Sequence, residues 1–226
     1  MTGRQVRCAF FDVDETLIRR KSLAGFLGHY LQELERADAP GVAELRLRAE
    51  ALVRRAGRWR IGRSGLNRDY YRLFRGHEAA RLERAGRAWF AQELGRGDFF
   101  RPGVLAALDG HRALGHRVVL VSGSFGACLD PIGAHVGADL VACTRPVDRD
   151  GLLTGEIEVP LVGRAKAAEV RRALARFGAE ARASYAYGDH ASDLPLLLAV
   201  GRPVVVGADP LLTRWAAVAG WSLLAD

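Results

Sequence analysis

The chain changes rhythm twice, and that constrains its fold more than any other feature. Residues 6–13 read as one buried strand. From about Leu23 to Leu94 the apolar positions follow three- and four-residue spacing, as in Leu23, Phe26, Leu27, Tyr30, Leu31 and Leu34, with no strand-like alternation. Pro40-Gly41, the stretch from Gly62 to Gly65, and Gly76 break this block into several helices. From Arg101 onward helix and strand alternate. Helices are expected over 102–114, 125–136 (interrupted or restarted at Pro131), 163–177 and 194–199. Strands are expected over 117–121, 138–143, 184–187 and 203–206, with a turn at Asp150-Gly151 between short segments that end near 155–159. Such alternation implies an α/β protein with a mostly parallel sheet and helices on both faces. An all-helical block inserted after the first strand implies a cap over the carboxyl ends of the strands, where such sheets bind ligands. The expected division is a core of residues 1–18 and 99–226 and a cap of residues 19–98.

The first strand runs straight into Asp12-Val13-Asp14-Glu15-Thr16-Leu17. Carboxylates at the end of a buried strand are costly unless something positive lies nearby. Three further clusters sit just after a strand or at a helix start: Ser122-Gly123-Ser124, Lys166, and Gly188-Asp189-His190-Ala191-Ser192-Asp193. Taken singly, each also fits an ordinary strand-end turn, a solvated helix residue or a helix cap. In a parallel sheet they converge on one rim. Four carboxylates, one ammonium, small hydroxyls and backbone N–H groups at helix starts then suit a phosphoryl group held with a hard divalent cation.

Composition narrows the context. Hydrophobic residues make up 49% and no apolar run is long enough to cross a bilayer. Cys8, Cys128 and Cys143 are odd in number and far apart, which fits reduced thiols better than a disulfide framework or a zinc knuckle. The first strand begins within a few residues of Met1, so no signal peptide is expected and a cytoplasmic location is. The net charge of +7 is local: between Arg46 and Arg75 ten arginines face two acids, Glu50 and Asp69. Lys21 and Lys166 are the only lysines. A compact ammonium fits where a planar guanidinium does not, which draws attention to position 166.

These motifs in this order resemble the haloacid dehalogenase superfamily, in particular its phosphoserine-phosphatase-like branch, the subfamily IB hydrolases with a helical cap. Asp12-Val13-Asp14-Glu15-Thr16-Leu17 matches the first motif and Ser122-Gly123-Ser124 the second. Lys166 matches the third, and Gly188-Asp189 with Asp193-Leu194-Pro195 the fourth. The stretch from Asp130-Pro131-Ile132 to Leu153-Thr154-Gly155-Glu156-Ile157 is also similar to this branch. The resemblance covers nearly the whole chain and implies a Rossmann-like core and Mg²⁺-dependent hydrolysis of a phosphate monoester. Asp12 is then the nucleophile that forms an aspartyl-phosphate, and Asp14 the acid that protonates the leaving oxygen and later deprotonates water. The implied metal site draws on Asp12, the Val13 carbonyl, Asp14, Asp189 and Asp193, the last directly or through water. Ser122, Gly123 and Lys166 hold the phosphate oxygens, with Thr16 assisting.

One departure bears on the substrate. Where phosphoserine phosphatases place an acid that grips the substrate ammonium, seven residues beyond the second aspartate, this chain has Lys21. A cation there repels phosphoserine. Lys21 and the cap arginines Arg58, Arg60, Arg63, Arg68 and Arg72 are therefore expected to meet a neutral or anionic leaving group on a small phosphorylated metabolite. The alternatives are a phosphatase acting on a polyanion or a lysophospholipid headgroup, and a non-catalytic phosphate-binding protein of the same fold. Nucleic acid is not an expected partner.

Overall fold

In the computed structural model residues 6–58 and 63–225 are described. The first strand, β1 (Cys8–Phe11), is followed by four helices, α1 (Ser22–Arg36), α2 (Val42–Arg58), α3 (Arg63–Arg72) and α4 (Ala79–Leu94). Then come α5 (Pro102–Ala113), β2 (Arg117–Phe125), α6 (Gly126–Val136), β3 (Leu140–Thr144), β4 (Pro146–Arg149) and β5 (Leu152–Ile157). The chain closes with α7 (Arg164–Phe177), β6 (Tyr185–Gly188), α8 (Leu194–Leu197), β7 (Arg202–Val206), α9 (Pro210–Ala219) and β8 (Ser222–Leu224). None of the described helices is long and apolar enough to cross a membrane.

Six strands form a parallel sheet in the order β3-β2-β1-β6-β7-β8. Its central strands are continuous apolar runs because both faces are covered. Ala9 and Phe11 face a core shared with α1, α4, α5 and α6, whereas Cys8 and Phe10 face one shared with α7, α8 and α9. The strand order reverses between β1 and β6, which opens a crevice at their carboxyl ends. Asp12 and Asp189 follow those two neighbouring strands.

The helical block leaves and re-enters the sheet side by side. Arg19 N–H donates to the Phe99 carbonyl at 2.8 Å and Arg101 N–H to the Leu17 carbonyl at 3.0 Å. Arg20 adds a two-pronged bond to Asp98, at 2.7 and 2.8 Å, and a third to Glu93. Inside the block Phe26, Tyr30, Tyr70, Tyr71 and Phe74 pack edge and face with Phe125 of β2.

The structure corrects the sequence reading at Pro131 and extends it in two other places. Pro131 does not interrupt α6, which runs unbroken through it. A proline at this position leaves the Ala127 carbonyl without its helical donor, and that carbonyl faces Gly86 of α4, where a Cβ would lie 1.8 Å from it. The segments around Asp150-Gly151 form an antiparallel hairpin that reaches back to the helical block: Gly76 N–H donates to the Leu153 carbonyl at 2.7 Å and Leu153 N–H to the His77 carbonyl at 2.9 Å. Finally, α9 and β8 extend the sheet beyond the last strand expected.

Candidate active site

Asp12 remains part of the sheet: its N–H donates to the Tyr187 carbonyl at 3.0 Å, which fixes it beside the end of β6. The next residues coil tightly, with Glu15 at φ 62°. Asp189 follows β6, and His190 caps the short 3₁₀ turn Ala191–Asp193 by accepting the Ser192 N–H at 3.0 Å. Lys166 occupies the first turn of α7 and points back to the rim.

The four motifs meet. Lys166 Nζ donates to Asp12 Oδ1 at 2.5 Å and to Asp193 Oδ1 at 2.6 Å, with all three side chains buried. Asp12, Asp189 and Asp193 each offer an oxygen within 4.8 Å of the others. Burial pushes the Asp12 carboxyl well above the ordinary range; the Asp193 charge adds to the rise and Lys166 opposes it. Burial likewise raises Asp189 and Asp14. Burial pulls the Lys166 ammonium down, but Asp12 and Asp193 outweigh it, so Lys166 is held protonated. One ammonium among these carboxylates leaves surplus negative charge in a poorly hydrated place. A hard divalent cation removes that surplus, and the donors are the oxygens it prefers. The three carboxylates thus form a group that can bind a divalent metal.

Three expected roles do not match the geometry. The Val13 carbonyl accepts the N–H groups of Leu17 and Ile18 at 3.0 Å and of Thr16 at 3.3 Å, so its oxygen is committed to the turn and not to the carboxylate group. The Asp14 side chain is not part of that group either: Asp14 Oδ1 accepts the Ser22 N–H, at the start of α1, at 3.0 Å. Thr16 is fully buried behind the rim, and its hydroxyl lies 2.6 Å from Asp189 Oδ1 and 3.3 Å from Asp12 Oδ2. Its hydroxyl is thus engaged with two carboxylates.

The Ser122-Gly123-Ser124 loop is held by residues the sequence did not single out. The Gly123 carbonyl receives Asn67 Nδ2 at 2.8 Å, the Thr144 hydroxyl at 2.9 Å and the Tyr71 hydroxyl at 3.2 Å. Ser122 Oγ accepts the Ser124 N–H at 3.1 Å, which leaves its own proton available to donate. A Cβ at Gly123 would lie 2.8 Å from Val162 Cγ1, so only glycine fits without a shift. The one signal for Asn67 is a polar residue on the apolar face of α3, in phase with Tyr70, Tyr71 and Phe74.

Above the rim lies a cavity of about 360 Å³. Its floor is Asp12, Asp14, Ser122, Gly123, Lys166, Asp189 and Asp193, and its roof comes from α1, α2 and α3. Lys21 lines it and pairs with Glu15 at 3.3 Å. Arg68 and Arg72 do not reach it. The buried face of α3 is 67, 70 and 71, so 68 and 72 point to solvent, and Arg72 pairs with Asp69 at 2.8 Å. Arg60 and the side chains of Arg58 and Arg63 lie outside the described residues.

Comparison with known proteins agrees with this geometry. The family model for haloacid dehalogenase-like hydrolases matches residues 9–198. The chain is 33% identical over 229 residues to the Inhibition of morphological differentiation protein of Streptomyces azureus, covering 96% of this chain and 77% of that one. It is 30% identical over 227 residues to a probable phosphatase of Mycobacterium tuberculosis, covering 96% and 74%. Its fold matches that of a phosphoserine phosphatase solved as a phospho-aspartyl intermediate analogue, with a TM-score of 0.65 and 20% identity over 93% of this chain and 91% of the other. Members of this family generally use a divalent metal. The chain belongs to the haloacid dehalogenase-like hydrolases, in their phosphoserine-phosphatase-like branch.

Proposed function

We propose that this phosphatase is a Mg²⁺-dependent phosphomonoesterase that acts on a small phosphorylated metabolite through an aspartyl-phosphate. The observation that carries this reading is the Lys166 ammonium bridging Asp12 and Asp193, at 2.5 and 2.6 Å, at the floor of the cavity. Residues 19–98 act as the cap over the core of residues 1–18 and 99–226.

Asp12 attacks phosphorus as the bond to the leaving oxygen breaks, and Asp14 gives that oxygen its proton. Burial raises the Asp14 pKa, which favours the protonated form this step needs. Water then attacks the phosphorus, Asp14 takes the water's proton, and the bond to Asp12 breaks to release phosphate. Ser122, Gly123 and Lys166 hold the non-bridging oxygens, so catalysis comes from in-line positioning and charge neutralisation. Asp12, Asp189 and Asp193 would hold Mg²⁺, which supplies neutralisation of phosphate charge when bound. Lys21 in the cavity wall repels a substrate ammonium, which disfavours phosphoserine.

The test is phosphate release from p-nitrophenyl phosphate. It requires Mg²⁺, is suppressed by chelation, and is abolished in Asp12→Asn while the fold persists by circular dichroism. Equal turnover by Asp12→Asn would overturn the assignment.

A further inference from the structure

The cavity roof has a composition that its surrounding sequence does not suggest. Arginines crowd the segment, yet the described wall is Leu23, Ala24 and Leu27 from α1, Ala49, Leu52 and Val53 from α2, and Leu66, Asn67 and Tyr70 from α3. Its polar handles are already used. Tyr70 donates its hydroxyl to the Leu23 carbonyl at 2.8 Å, and Asn67 Nδ2 is bonded to Gly123. Lys21, which also lines the cavity, is paired with Glu15. The remaining polar lining, Glu15, His190 and Ser192, comes from the rim loops that carry Asp14, Asp189 and Asp193 and not from α1, α2 or α3.

We infer that the substrate is the phosphate monoester of a hydrophobic alcohol, with its alkyl, prenyl or aryl part lodged against α1, α2 and α3. The inference rests on the phosphomonoesterase reading and narrows its substrate class. Desolvating a sugar or an amino acid against this wall leaves its hydroxyls, ammonium or carboxylate without partners, a loss of about 1–3 kcal/mol for each group. An apolar chain gains there instead. Size sets the limit: at about 30 Å³ per water-sized group, 360 Å³ admits roughly a dozen heavy atoms, five of them the phosphate. About seven remain for the leaving group. Val53, 69% exposed at the edge of the cavity, marks where a longer chain would emerge.

The experiment is a homologous series of n-alkyl phosphates, ethyl to decyl, assayed below their aggregation concentrations beside phosphoserine, glycerol phosphate and glucose 6-phosphate. About 0.8 kcal/mol per buried methylene makes kcat/KM climb close to fourfold per carbon, levelling once about seven carbons fill the cavity. In Leu66→Asp the hexyl-to-ethyl ratio of kcat/KM falls at least tenfold, and a ratio is insensitive to the fraction of protein folded. A flat series, an unchanged ratio in Leu66→Asp, or a polar ester that outruns hexyl phosphate overturns the inference and leaves phosphomonoester hydrolysis standing. If no ester releases phosphate with Mg²⁺, the reading beneath it falls as well.

Discussion

Lys166→Met isolates the electrostatic core of the site. Lys166 Nζ faces carboxylate oxygens at 2.5 and 2.6 Å while only 6% of its side chain is exposed. Each attraction is about 6 kcal/mol at an effective dielectric of about 20. Desolvation of three charges opposes most of that, and removing one partner of a buried ion pair costs roughly 3–5 kcal/mol, because the other charge is left buried alone. Methionine keeps the bulk and removes the charge, so Asp12 and Asp193 are what remain exposed to the loss. In a chain of 226 residues each kcal/mol corresponds to about 2–4 °C, so the metal-free variant melts roughly 6–20 °C below the wild type. Mg²⁺ neutralises the same carboxylates, so saturating it narrows the gap. Turnover stays at least a hundredfold low, because the donor proposed for the phosphate is gone. Differential scanning calorimetry with and without Mg²⁺ reads the stability, and phosphate release reads the rate. A metal-free variant that melts within about 2 °C of wild type, or a deficit unmoved by Mg²⁺, would refute the reasoning.

Two further predictions follow from single groups. Thr16→Val preserves shape but removes the hydroxyl beside Asp189 and Asp12, so Mg²⁺ affinity by calorimetric titration falls about 10- to 100-fold with little change in fold; unchanged affinity would remove Thr16 from the carboxylate scaffold. His111 is buried, with Nδ1 2.8 Å from His116 Nδ1 and Nε2 2.9 Å from the Tyr187 hydroxyl, and burial followed by His116 lowers its pKa to about 4. The unfolded chain therefore binds a proton that the folded chain refuses between about pH 6.5 and 4. Stability is whole above pH 6.5 and declines by about 3 kcal/mol as pH falls toward 4, and urea unfolding of His111→Gln across that range shows a flatter profile.

The meeting of the four clusters was legible because each of them is a local signal. A strand end, a helix start and a turn each declare themselves within a few residues, and a parallel sheet suffices to bring them together. What escaped depends on partners far along the chain. Gly123 is gripped from α3 and β3 by Asn67, Tyr71 and Thr144, and no short window of sequence contains that clamp. The β4–β5 hairpin answers Gly76 and His77 across a similar gap. Arg68 and Arg72 escaped for another reason. Counted along the chain, arginines make the helical block basic, yet the potential in a cavity depends on which side of each helix they occupy. On α3 the apolar phase fixes 67, 70 and 71 inward, so Arg68 and Arg72 are turned outward by the burial that builds the roof. On α2 Leu45, Ala49 and Leu52 are buried, while Arg54 and Arg55 are exposed and pair with Glu50 and Asp69. A helix that covers an active site must bury an apolar stripe to stay folded. Where that stripe also roofs the cavity, the described residues that line it are those of the stripe, whatever the net charge of the segment that carries it.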